Sequence, residues 1–297
     1  MHRVQRHIDL HLGEALDLAT LAGVAHFSPF HFHRVFTAWT GETLGDHLRR
    51  RRLEVAALRL LTQPRSSVLD IALTVGFGSG EAFARAFRGR FDCSPSQWRQ
   101  QGGPAQRKMD QVKGKPDQVD RAPAGQHGAP ATTDPEPPMT PLNVTVIERT
   151  PVRVAYLRHV GPYGASVAAF WQQQFYPLLV RRSWTGRTIY GISHDDPAIT
   201  APEQLRYDTC VEIGADEVVG SDALVTEIPG GRYAFLPFEG TTDDMGPAWT
   251  ALMRDWLPGS GWQIDGRPTF EHYAPGTRYD AATGVFDCDI VIPLAPL

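Results

Sequence analysis

The chain has 297 residues, 42% of them apolar, which is enough for two or three domains to bury cores. No apolar run approaches membrane length and no export signal opens the sequence, so a cytoplasmic location with no membrane partner is expected. Cys93, Cys210 and Cys288 are widely spaced and odd in number, offering neither a disulfide framework nor a zinc pattern. Charge is uneven: residues 1–102 carry a net +4 and residues 141–297 a net −8, within −4 overall. A basic front fits phosphate binding.

In chain order, Asp17 is placed to cap a helix over 18–24, followed by a turn at His26-Phe27 with Phe27 plugging the angle. Ser28-Pro29 opens a second helix that Gly41 ends. Leu48 to Leu61 reads as a connecting helix, its opening run Arg49-Arg50-Arg51-Arg52 forming mostly a wet face with some phosphate contacts. The helix pair then recurs. Ser67 caps a helix through Val75, Gly76 breaks it, Phe77 plugs the angle, and Ser79 opens a helix to about Arg90. Leu21-Ala22, Phe27, Phe32, Arg34 and Phe36 match Ile71-Ala72, Phe77, Phe83, Arg85 and Phe87 at an offset of 50, then 51. Two copies of one helix-turn-helix unit are expected, each presenting its second helix to a DNA major groove. Phe32, Phe36, Phe83 and Phe87 fall at helical spacing and read as core. His26, His31 and His33 point in different directions, so no metal site is expected.

The stretches Phe27 to Phe36, Thr40 to Gly45, Ser67 to Ala72, Glu81 to Phe87 and Cys93 to Trp98 together resemble the AraC/XylS family of transcription regulators. The resemblance covers roughly residues 3–100 and implies double-stranded DNA as a partner, with RNA polymerase as a further one. By position it implies groove-facing residues Phe30, His33 and Arg34 on the first recognition helix. On the second it implies Gly80, Glu81, Ala84 and Arg85. Arg34 and Arg85 suit bidentate pairing with guanine, His33 an acceptor on a base edge, Phe30 a thymine methyl and Glu81 a cytosine amino group. Gly80 stands where relatives often carry a polar side chain.

Domain limits of 1–102, 103–141 and 142–297 follow. The middle segment is rich in Pro and Gly and reads as a flexible linker spanning roughly 35 Å. Such a tether transmits orientation poorly, so signalling between the ends requires direct contact or RNA polymerase. Beyond it, strands at 144–148 and 152–159, a helix at 165–180 and strands at 188–193 and 207–213 make one unit. Strands at 223–227 and 232–238, a helix at 245–256 and strands at 269–273 and 287–293 repeat it. The fold class is therefore an N-terminal all-α tandem helix-turn-helix domain followed by an α+β domain. The latter comprises two hairpin-helix-strand-strand repeats with a groove along their pseudo-twofold axis.

Five segments carry a second resemblance: His159 to Tyr163, Arg206 to Ile213, Pro229 to Phe235, Trp256 to Trp262 and Pro268 to Tyr273. Together they look like the GyrI-like effector-binding family, over about residues 142–297. That resemblance implies a small-molecule effector, no cofactor, and a central glutamate facing an aromatic cleft, which falls on Glu271. Strand alternation puts Tyr273 on the same face as Glu271. Tyr163, Trp171, Tyr190, Phe238 and Trp249 are further candidate lining residues. A carboxylate among rings suits a lipophilic cation. The expected function is a ligand-controlled transcriptional regulator rather than an enzyme. The alternative is a hydrolase of reactive small molecules using Glu271 and a tyrosine. A DNA-repair sensor is excluded, because no cysteine sits in a Pro-Cys-His-Arg context.

Overall fold

A computed structural model describes residues 1–103 and 142–297, so the linker expected over 103–141 lies outside the described residues save for Gly103. The front half is helical: α1 His2–Leu10, α2 Leu18–Ala25, α3 Pro29–Thr40, α4 Leu44–Thr62, α5 Val68–Thr74, α6 Gly80–Phe91 and α7 Pro95–Gln100. Local chemistry sets these boundaries. The side chains of Asp17, Ser28, Thr43, Ser67, Ser79 and Ser94 each accept from a backbone N–H three residues on. His26 and Gly41 close α2 and α3 in the left-handed conformation. The connecting helix α4 begins a turn earlier than its apolar stripe indicates, because Thr43 caps it. Neither α1 nor α7 is anticipated by the sequence pattern.

Two small cores result. Leu21, Phe32 and Phe36 pack with Val4 and Ile8 of α1, while Ile71, Phe83 and Phe87 pack with Leu53, Ala56 and Trp98. Each buried ring contributes roughly 1.5–3 kcal/mol. The plugging role holds for Phe77, whose ring meets Phe83 at 5.2 Å. Phe27 departs from it: the ring is 40% exposed and lies edge-on to His31.

The arginine run is not a wet face. Arg49 is exposed, but Arg50 is held by Glu42 and Glu54, and Arg51 is buried. Arg52 donates to the carbonyls of Leu12, Glu14 and Gly76, tying the two helix-turn-helix units together. The wet-face reading fails because Arg50 and Arg51 meet carboxylates of Glu42, Glu54 and Asp195, two of them outside α4 itself.

The rear half is one curled antiparallel sheet. Its strands are β1 Thr145–Arg149, β2 Val152–Val160, β3 Ile189–Ser193, β4 Arg206–Glu212, β5 Leu224–Ile228, β6 Gly231–Gly240, β8 Phe270–Tyr273 and β9 Phe286–Pro293. A separate short pair joins β7 Trp262–Gln263 to β10 Ala295–Pro296. The order β1-β6-β9-β8-β3-β4-β2-β5 reads the same from either end once the two repeats are exchanged. The central pair is β3 with β8. The repeats differ from simple hairpins: β1 pairs with β6 and β2 with β5, so each repeat lends its first strand to the other. The two crossovers touch. A Cβ on Gly230 would lie 2.8 Å from the Arg149 carbonyl oxygen and 2.7 Å from Pro151 Cδ, which only glycine avoids.

Each repeat also supplies a helix with a π-turn. Ala165–Phe170 (α8) runs through Trp171–Phe175 into Tyr176–Arg182 (α9), and Thr242–Ala251 (α10) runs into Leu252–Trp256. These helices cover one face of the sheet, over Ala155 and Val211 and over Leu236 and Ile290. Val154, Tyr156, Tyr190 and Phe270 form the core of the other face.

The two halves are in contact. Ile199 of the β3–β4 loop packs into the core of the second helix-turn-helix unit. Arg6 donates to the Val225 carbonyl at 2.9 Å and Gln63 to the Ile264 carbonyl at 3.1 Å. No described helix is long and apolar enough to cross a membrane.

Candidate functional site

On the front half, α3 presents Phe30, His33 and Arg34 outward, and the Arg34 guanidinium lies 5.9 Å from the Phe30 ring centroid. On α6, Glu81 and Arg85 are exposed, while Ala84 and Gly80 are half-buried. A Cβ on Gly80 would sit 3.4 Å from Leu69 Cδ1, so that position is packed against α5. A shallow open depression runs along Glu81, Ala84, Arg85, Arg88 and Gly89. Arg88 and Gly89 extend the candidate face by one helical turn. Their i+3 and i+4 spacing from Arg85 is the signal that marks them.

In the rear half, β8 carries Glu271 at the centre of the sheet, 7% exposed. Its carboxylate accepts from the Tyr207 hydroxyl on β4 and, at 3.3 Å, from the Tyr273 hydroxyl. Burial raises the Glu271 pKa, the two tyrosine hydrogen bonds pull it back, and the net is about 7. Burial and the neighbouring carboxylate hold both tyrosines well above the ordinary phenol value. The group is thus poised between a neutral acid and a carboxylate near neutral pH.

Gly191 on β3 makes the room. It pairs with Glu271 across the central strands, and a Cβ there would lie 1.9 Å from Tyr207 Oη and 2.2 Å from Glu271 Oε2.

Of the expected lining residues, Trp171 meets the Tyr273 ring at 5.3 Å, and Tyr163 meets the Tyr207 ring at 6.2 Å. Phe238, Trp249 and Tyr273 share one apolar cluster with Phe286 on this face. Tyr190 does not belong. It pairs with His272, one residue off the Gly191–Glu271 register, so it faces the opposite side of the sheet. There its ring packs on Phe270 and its hydroxyl takes a hydrogen bond from Arg149. Tyr207 is the contact that the sequence pattern conceals. Every residue of β4 from Arg206 to Val211 is buried, so alternation gives no face to it. Among the described residues no cluster has the composition of a metal site.

Comparison with known proteins gives a match in each half. Residues 142–295 match the GyrI-like small molecule binding domain, and residues 21–101 match a helix-turn-helix domain. Regulatory protein SoxS of Escherichia coli (strain K12) is 39% identical over 92 residues, covering 31% of this chain and 85% of SoxS. The probable transcriptional regulator YgiV of the same strain is 33% identical over 165 residues, covering 52% of this chain and 97% of YgiV. The DNA-binding domain of AdpA, solved with a target DNA, is 31% identical and covers 38% of this chain and 96% of that domain, with a TM-score of 0.32. The relatives are named as regulators, and a hydrolytic role for Glu271 draws no support from them. The chain belongs to the AraC-type DNA-binding transcriptional regulators and carries a GyrI-like small molecule binding domain.

Proposed function

We propose that the rear half takes up a lipophilic cation at Glu271 and that its occupancy sets how the front half reads duplex DNA. The observation that carries this reading is a buried carboxyl group with aromatic neighbours Tyr207, Tyr273 and Trp171. A cation arriving there favours the ionised carboxylate and gains from the ring faces, which a neutral ligand of the same shape does not. The net charge of −8 over residues 141–297 favours the approach of cations. To reach the carboxylate, the ligand takes the place of the Tyr207 hydroxyl. On DNA, Arg34 and Arg85 are the base-reading residues, with Phe30, His33, Glu81, Ala84 and Gly80 beside them. RNA polymerase is the partner through which occupancy alters transcription.

The test compares benzyltrimethylammonium with neopentylbenzene, its neutral counterpart of the same shape, by calorimetric titration. Glu271→Gln is expected to weaken the cation by about tenfold, a cost of about 1.4 kcal/mol, and to leave the neutral compound unchanged. Equal losses for both would remove charge pairing from the account.

A further inference from the structure

We propose that Tyr207 is a positioning residue through which the Glu271 site acts on the DNA-reading half, by way of the ion cluster Asp9–Arg51–Asp195–Arg206. What moves Tyr207 in the cell rests on the ligand reading above; the connection itself rests on geometry.

The cluster alternates between the halves. Asp195, in the loop after β3, has a fully buried side chain. It accepts from Arg51 Nη1 of α4 at 2.5 Å, and from Arg206 Nε and Nη2 at 2.9 Å each. Arg206, the first residue of β4, donates through Nη1 to Asp9 of α1. Arg51 reaches Asp9 as well, at 3.4 Å, and is anchored on its own helix by Glu54 at 2.8 Å. Each half therefore supplies one aspartate and one arginine to the cluster, and the cations of each half bind carboxylates of the other. Arg51, Asp195 and Arg206 are buried, with Asp9 half-buried at the rim, and buried charges tolerate only arrangements in which each is paired. An interface of this kind is closed or opened to water, with little in between.

The cluster joins the carboxylate site through one peptide unit. Tyr207 follows Arg206 in the chain, and its hydroxyl donates to Glu271. The Tyr163 hydroxyl lies 2.9 Å from the Arg206 carbonyl oxygen and 3.0 Å from that of Asp195, and it accepts from the Asp195 N–H. The Tyr163 ring stands edge-on to Tyr207. There is no slack above Gly191, where the Tyr207 hydroxyl and the carboxylate already fill the space a methyl would need. Displacing the hydroxyl from Glu271 therefore pushes on the main chain that carries Arg206 and on the tyrosine that clamps the Asp195 loop. On the other side, α1 packs through Val4 and Ile8 against Phe32 and Phe36 of the first recognition helix. Arg51 sits on the helix that spans both units.

Amide hydrogen exchange on the full chain tests this. Tyr207→Phe keeps the ring and removes the hydroxyl. Its expected effect is faster exchange in residues 2–10 of α1 and residues 195–206, by about fivefold or more. Coupling is reciprocal, so Asp9→Asn is expected to speed exchange in residues 270–273 around Glu271. Changes confined to the half that carries the substitution, for both variants, would overturn the connection. Benzyltrimethylammonium added to the unsubstituted protein separates the two readings. If it binds through Glu271 while α1 exchange stays fixed, the connection is wrong and the ligand reading stands. If it does not bind while Tyr207→Phe still reaches α1, the connection stands and the ligand reading falls.

Discussion

Gly191 and Glu271 face each other across the central strand pair, and a Cβ on Gly191 would lie 2.2 Å from the Glu271 carboxylate. The glycine is there for space: its φ lies outside the left-handed region, so alanine fits the backbone but not the site. Gly191→Ala is expected to displace Tyr207 and Glu271 at a cost of about 1–3 kcal/mol, read by urea unfolding. It should also abolish binding of benzyltrimethylammonium. Unchanged stability and binding would mean the pair is loosely held.

The Glu271 pKa predicts a pH dependence. It rises from 4.5 to about 7 on folding, so between those values the folded chain holds a proton that the unfolded chain has released. Stability from this group is full below pH 4.5 and is lost as pH rises through about 7, by up to about 3 kcal/mol. Glu271→Gln has no such proton. The difference in unfolding free energy between the two proteins, measured from pH 4 to pH 8, should show this slope. A flat difference would show that folding leaves the Glu271 pKa where it is in the unfolded chain.

Acid should act on the contact between the halves with the opposite sign. Burial alone raises the Asp9 pKa, but Arg206 and Arg51 outweigh it and hold it at about 2. Asp195 is likewise held well below the usual carboxylate range, against burial, by Arg51 and Arg206. The stability Asp9 supplies is present above pH 3.8 and disappears as pH falls through about 2, amounting to about 2 kcal/mol. Circular dichroism across this window should show an acid transition that is shifted upward in Asp9→Asn. An identical transition in both proteins would remove Asp9 from the interface energetics.

Capping residues and apolar spacing marked both helix-turn-helix units, because these signals act within one turn. The strand exchange is hidden in the sequence, since the short link between strands 144–148 and 152–159 is the same whether the second pairs with the first or with the other repeat. The face of Tyr190 depends on its pairing with His272, and only the partner strand fixes that register. Arg51 read as solvated because Asp9 and Asp195 are distant in sequence. Tyr207 lay in a strand buried on both faces, where alternation is silent.

DNA recognition gives separable expectations. Arg34→Ala and Arg85→Ala should each cost about 1–3 kcal/mol on a selected duplex and relax preference at one base. Arg88→Ala, one turn further along α6, should weaken all duplexes alike and reduce the salt dependence by about one counterion. Uniform weakening by Arg34→Ala and Arg85→Ala would turn them into phosphate contacts.

Occupancy of the Glu271 site is expected to alter DNA reading. The affinity of the full chain for a duplex selected in vitro is to be measured with and without saturating benzyltrimethylammonium, in the unsubstituted protein and in Glu271→Gln. A change of about fivefold or more is expected in the first and none in the second. An affinity that stays constant while the site is filled, or that shifts equally in Glu271→Gln, would show that the carboxylate site does not govern DNA reading.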